Sequence, residues 1–209
     1  MNIKIVPGIL EKDFEEIKKK VSLVSPFVDT IQIDLCDGKL VPNTTFSDPS
    51  SFKEIIKDKI FELHMMVSEP GGVVEDWVTS GFKRIVGHIE GITEPMDFLN
   101  KVKAMGVEVG LGIDFNTKLS TIENYLDYLD FVLVMSVEAG FSGQVFGEQS
   151  LSKVRKLRQI RPNLDIEVDG GVNIETLGAA KEAGANLFVS TGYIFNGDVK
   201  ENINKLRQV

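Results

Sequence analysis

Short apolar runs of strand length alternate with longer amphipathic ones along the whole chain, and this rhythm limits the possible folds more than any other feature. Ile3 to Val6 reads as a first strand closed by Pro7-Gly8, and Asp13 to Val21 then sets Phe14, Ile17 and Val21 at helical spacing. Further strands are expected over 29–35, 61–67, 84–88, 107–113, 131–137, 164–169 and 186–190. Helices are expected over 71–80, 95–105, 117–126, 149–160 and 173–183, with a closing one that ends at about Arg207. Eight strand-helix units within 209 residues, with no break in composition, predict an α/β chain folded as a single (β/α)8 TIM barrel. An open doubly wound sheet of this length would typically carry fewer strands. The chain reads as one domain over residues 1–209, with no linker, repeat or low-complexity segment.

Within the strands, alternation sorts the side chains by face. Ile31, Ile33 and Leu35 alternate with Gln32 and Asp34, and Leu63, Met65 and Val67 with His64 and Met66. Active residues of such a barrel sit at the carboxyl ends of strands and on the loops that follow. Asp34, His64, His88 and Asp169 all fall at predicted strand ends. Glycine-rich loops follow the last three strands: Gly140-Phe141-Ser142-Gly143-Gln144, Gly170-Gly171 and Thr191-Gly192. Backbone N–H groups there could bind a dianion without any lysine. Taken alone, Asp169-Gly170-Gly171 reads equally well as a plain strand-to-helix turn.

Composition narrows the partners. A formal charge of -8 excludes a general nucleic-acid binder, which needs a clustered basic surface. No run of about 18 apolar residues and no basic-then-apolar leader occurs, so no membrane association or secretion is expected and a cytoplasmic location is. Cys36 is the single cysteine, which rules out an internal disulfide framework and fits a reducing compartment.

Several segments occur in one order: Gln32-Ile33-Asp34-Leu35-Cys36-Asp37-Gly38 with Val41-Pro42-Asn43, Leu63-His64-Met65-Met66-Val67, His88-Ile89-Glu90, the run from Val134 to Gln144, and Val168-Asp169-Gly170-Gly171-Val172. Together they resemble the ribulose-phosphate 3-epimerase family, from about Ile5 to the last helix. The resemblance implies an epimerase that inverts C3 of a ketose phosphate such as D-ribulose 5-phosphate, with Asp34 and Asp169 as the acid-base pair. It implies one divalent metal ion (Mg, Mn, Zn or Fe) held by Asp34, His64 and Asp169, and a homo-oligomer. The substrate, a small phosphorylated sugar, would meet Gly140, Phe141, Ser142, Gly143, Gly170, Gly171, Thr191 and Gly192, over an apolar floor of Met66 and Met135. Epimerisation next to a carbonyl needs two opposed carboxyl groups, one ionised and one protonated, which agrees with the two aspartates. Three other readings stay open: an epimerase of another pentulose or hexulose phosphate, a related enediolate decarboxylase or aldolase, and a non-catalytic sugar-phosphate-binding paralogue. The decarboxylase branch typically has Asp-x-Lys-x-x-Asp, and Asp34-Leu35-Cys36-Asp37 has no lysine.

The sequence departs from the family at two places inside the expected site. Gln32 stands where the family has its first metal-binding His, and Glu11 where it has a Ser after the first strand. A neutral glutamine oxygen suits magnesium or manganese better than zinc or iron, so the identity of the metal stays open. Glu11 has three readings: a fourth metal ligand, a reader of a substrate hydroxyl or amine, or a solvated carboxylate at a helix start. Cys36, where the family has Met, is expected as a small buried apolar side chain, and His88 as a hydrogen-bonded structural one. Lys18-Lys19-Lys20 reads as a solvated helix face. Thr191-Gly192 replaces the Gly-Ser usual in the family while keeping N–H donors.

Overall fold

In a computed structural model, which describes residues 3–209, the strands close on themselves. Met1 and Asn2, included in the expected domain span, lie outside the described residues. The strands are β1 (Lys4–Ile9), β2 (Thr30–Cys36), β3 (Ile60–Met66), β4 (Arg84–His88), β5 (Glu108–Ile113), β6 (Phe131–Met135), β7 (Asp165–Asp169) and β8 (Leu187–Ser190). Each pairs in parallel with its neighbours in sequence, and β8 pairs with β1, giving an eight-stranded (β/α)8 TIM barrel. Around it run α1 (Phe14–Val24), α2 (Val74–Thr79), α3 (Pro95–Ala104), α4 (Ser150–Ile160), α5 (Ile174–Ala183), α6 (Gly192–Phe195) and α7 (Val199–Arg207).

The alternation read in the sequence becomes the two faces of the wall. Ile31, Ile33, Leu35, Leu63 and Met65 point outward into the layer beneath the helices, with Ile85, Leu111, Val134 and Val168. Each such burial contributes roughly 1.5–3 kcal/mol. Met66, Val86, Phe131, Leu133 and Met135 form a separate apolar cluster with Cys36. Polar side chains fix where the helices begin: Asp13 accepts from the Glu16 N–H at 3.1 Å, and Asn173 and Thr176 form a reciprocal capping box at α5.

Four elements differ from the sequence reading. Pro7-Gly8 does not close β1 but lies inside it. Lys4 to Pro7 pair with β8 while Gly8 and Ile9 pair with β2, so the proline falls where pairing changes partner and its missing N–H costs least. The helix expected over 117–126 is instead a pair of 3-10 segments, Leu119–Thr121 and Glu123–Tyr128. Thr121 Oγ1 donates to the Lys118 carbonyl at 2.7 Å, one of the local bonds by which Thr, Ser and Asn compete with a regular helix. The closing helix is split into α6 and α7 at Gly197, whose φ is +107°, and Asp198 caps α7. Finally, a 3-10 segment at Pro49–Glu54, where no helix was read, buries Phe52 among Phe14, Phe46, Trp77 and Phe82.

The amino end of the barrel is filled by an ion cluster. Arg84 Nε donates to Glu62 at 2.6 Å, Nη1 pairs with Glu108, and the guanidinium lies 3.9 Å from the centre of the Phe131 ring. Glu167, 3.7 Å from Arg84, has its carboxyl pushed well above the usual range by burial and by Glu62 beside it.

Candidate active site

Two adjacent strands and one from across the barrel bring four polar side chains together at its carboxyl end. Gln32 and Asp34 come from β2, His64 from β3, directly opposite Asp34 in the register, and Asp169 from the last position of β7. The Gln32 amide nitrogen donates to Asp34 Oδ1 at 2.9 Å and to Asp169 Oδ2 at 3.0 Å, so one amide ties the two carboxylates. His64 Nδ1 is 2.8 Å from Asp34 Oδ1 and 3.4 Å from Asp169 Oδ2. Its other nitrogen lies 2.8 Å from His88 Nε2, and His88 Nδ1 lies 3.1 Å from Glu90 Oε2. Glu90 in turn accepts from the Asp114 N–H at 2.8 Å. With His64 protonated, every member has a consistent role: Nδ1–H donates to Asp34, Nε2–H to His88, and His88 Nδ1–H to Glu90.

The electrostatics follow from this packing. Burial alone would lower the His64 pKa, but hydrogen bonds to Asp169 and Asp34 and their charges hold it up at about 10. Asp34 is pushed up, first by burial and then by the Asp169 charge, against the lowering effect of His64. Burial would raise Glu90 as well, but the hydrogen bond and charge of His88, with bonds from Thr117 and the Asp114 N–H, together outweigh it and bring the carboxyl down to about 2. The Cys36 thiol, buried and close to Asp34 and Asp37, rises to about 12, so it stays an unreactive thiol.

Above these groups opens a cavity of about 430 Å³. The turn after β7 shapes one wall: Gly170 and Gly171 have φ of +108° and +60°, and a Cβ on Gly171 would stand 2.6 Å from the Phe146 backbone nitrogen. The β6–α4 loop forms another wall. It is anchored by Asn43 Nδ2, which donates to the Gly140 carbonyl at 2.7 Å, and by Gln144, which donates to the Glu138 and Phe141 carbonyls at 2.8 Å.

The chain is similar to known proteins over nearly its whole length. The model of the ribulose-phosphate 3 epimerase family matches residues 4–195. The ribulose-phosphate 3-epimerase of Eremothecium gossypii is 34% identical, over 97% of this chain and 91% of that one. That of Bacillus subtilis is 33% identical over 98% of both. The chain belongs to the ribulose-phosphate 3-epimerase family. These relatives are isomerases acting on carbohydrates, and the chain is an enzyme of that class. Solved structures of 3-hexulose-6-phosphate synthase (TM-score 0.74, 18% identity, 99% of both chains) and of 3-keto-L-gulonate-6-phosphate decarboxylase from Vibrio cholerae (TM-score 0.77, 12% identity, 100% and 97%) share the fold.

For a member of this family the placement of each expected residue can be stated. Asp34, His64, Asp169, Met66, Met135, Gly140, Phe141, Ser142, Gly143, Gly170, Gly171, Thr191 and Gly192 all line the one cavity. Gln32 lies beneath it, fully buried. Glu11 is the exception. Its carboxylate turns to α1 and accepts from Lys20 Nζ at 2.6 Å, and it is absent from the cluster of potential metal ligands, which corrects the expectation of a fourth ligand. Lys20 is therefore an ion-paired side chain that also lies 4.7 Å from the centre of the Phe195 ring, not part of a solvated run. His88 is the buried hydrogen-bonded side chain expected. Leu10, Asn173, Glu175 and Tyr193 also line the cavity and were not read from the sequence, where they look like ordinary loop and helix residues.

The family binds a divalent metal, and Asp34, His64 and Asp169 offer ligand atoms that lie within 4.8 Å of one another. Gln32 lies against this set with its amide nitrogen, not its oxygen, toward the carboxylates. Its Oε1 is buried without a hydrogen-bond partner, while the amide nitrogen of the same group lies between the carboxylates. Two carboxylates and one imidazole make a set compatible with a divalent ion.

Proposed function

We propose that this protein inverts C3 of a ketose phosphate, with D-ribulose 5-phosphate as the substrate to test, and that Asp34 and Asp169 exchange protons with it. The observation that carries this reading is the pair of carboxylates from β2 and β7, tied by one glutamine amide at the foot of the cavity. Two carboxylates this close hold a proton between them more readily than isolated ones, and burial favours keeping it, as the raised Asp34 shows. The ionised member removes the proton from C3. The electron pair of that C–H bond forms the C2–C3 double bond, and the carbonyl π electrons move onto the C2 oxygen. The protonated member then delivers its proton to the opposite face of C3, and the carbonyl re-forms.

Asp34, His64 and Asp169, joined by the Gln32 amide oxygen if that amide turned over, would hold the metal, which would offset negative charge developing on the sugar oxygens. His64 is held in place by His88 and Glu90, so its Nδ1 edge stays directed at the carboxylates. The phosphate is assigned to the backbone N–H groups of Gly170-Gly171 and Thr191-Gly192, which explains how an acidic protein retains a dianion. Met66 and Met135 supply the apolar floor under the sugar carbons.

Asp34→Asn and Asp169→Asn test the assignment. Each is expected to lower kcat for ribulose 5-phosphate by at least about a hundredfold, measured by coupled assay, while ketose-phosphate binding by calorimetry persists. Turnover within tenfold of wild type in either variant would remove that aspartate from the mechanism.

A further inference from the structure

Thr191 is the N-cap of α6, a position where a threonine hydroxyl ordinarily accepts a hydrogen bond from the helix, yet its side chain caps nothing. The hydroxyl is turned instead across the end of β1. A Cβ on Gly8 would lie 2.6 Å from Thr191 Oγ1, 2.9 Å from Val189 Cγ1 and 3.7 Å from Gln32 Nε2. The space that a side chain on Gly8 would fill is thus taken by the Thr191 hydroxyl, beside the amide that ties Asp34 to Asp169. The hydroxyl of adjacent Ser190 is engaged with the Val172 carbonyl at 2.8 Å, whereas Thr191 lines the cavity.

We propose that Thr191 is a specificity-determining residue whose Oγ1 hydrogen-bonds a substrate oxygen on a carbon adjoining the one that exchanges its proton. This rests on the epimerase reading of the site. Thr191 lines the same cavity as the carboxylate pair and the glycine turns that would hold the phosphate, and its hydroxyl is directed at β1, so it is placed to read the part of the sugar that joins the two. Gly8 is the matching concession on β1: only a residue without a side chain leaves room for a hydroxyl delivered from β8. A hydroxyl in that place favours a ketose phosphate bearing the complementary oxygen and disfavours its deoxy analogue.

The test pairs two positions. Thr191→Val removes the hydroxyl at nearly constant shape and keeps the backbone N–H. It is expected to lower kcat/KM for ribulose 5-phosphate by about tenfold, the worth of one hydrogen bond. Thr191→Ser, which keeps a hydroxyl, should retain severalfold more activity than Thr191→Val, and inorganic phosphate should bind all three proteins equally by calorimetry. Gly8→Ser alone should lose activity through the clash with Thr191, and the double variant Gly8→Ser, Thr191→Gly, which moves the hydroxyl to β1, should recover it at least severalfold. Thermal melting checks that each variant is folded. The proposal is overturned if Thr191→Val stays within twofold of wild type, if it weakens inorganic phosphate as much as sugar phosphate, or if the folded double variant gains nothing over Gly8→Ser. Should wild type turn over no ketose phosphate, the epimerase reading fails by itself. Calorimetric binding of ribulose 5-phosphate to wild type and Thr191→Val then decides the role of Thr191 by the same tenfold criterion.

Discussion

Gln32 stands where the resemblance leads one to expect a metal-binding His, and the structure gives its amide a definite role. An amide can donate through nitrogen or accept through oxygen; here the nitrogen holds both carboxylates and the oxygen is left without a partner. The site is therefore internally bonded, and a cation entering it has to displace those bonds as well as the proton that Asp169 and Asp34 hold on His64 up to about pH 10. Metal binding is expected to release a proton and to weaken as pH falls. Gln32→His is expected to shift the metal retained from a magnesium, manganese and zinc mixture toward zinc, read by elemental analysis after dialysis; an unchanged profile would show that position 32 does not select the metal. Glu90 makes a separate prediction about stability. Its folded pKa of about 2 lies below the ordinary glutamate value of 4.5, so its contribution is present above about pH 4.5 and is lost as pH falls toward 2. Glu90→Gln should accordingly lower stability to urea at pH 7, and the gap to wild type should close near pH 2. A gap that stays constant with pH would contradict that origin.

At the scale of elements, the cavity depends on turns that tolerate no side chain. Gly171→Ala would place a methyl group against the backbone of Phe146 and strain a left-handed residue, at a cost of about 1–3 kcal/mol. A lower melting temperature and a higher KM for the phosphorylated substrate are expected, and unchanged values of both would argue against a phosphate cradle at this turn. The strands and their inward faces were legible because a period of two needs only local sequence: Gln32 and Asp34 alternate with Ile31, Ile33 and Leu35, and the structure puts them on opposite faces. What escaped depends on long-range placement. The side chain of Glu11 is decided by Lys20 one element away, and the link from His64 to His88 by the positions of two adjacent strands. Residues 117–126 carry helical spacing, but their hydroxyl and amide side chains favour 3-10 turns.

For the whole molecule, the two ends of one barrel have opposite characters. The amino end is closed by Arg84 among Glu62, Glu108 and Glu167, while the carboxyl end carries the paired aspartates and the glycine turns. That polarity was predictable from eight strand-helix units alone, because parallel strands put every β–α loop at one mouth. The ion cluster was not, since Arg84 and Glu167 are distant in sequence and meet only once the barrel closes. Proton exchange at that mouth is the central claim. It is tested most directly by following D-ribulose 5-phosphate in heavy water by NMR, with the protein stripped of metal and then resupplied with magnesium, manganese, zinc or iron in turn. Deuterium entering at C3, together with xylulose 5-phosphate, is the expected result with at least one metal. No deuterium at C3 under any of these conditions, with a folded protein that binds the sugar phosphate, would contradict it.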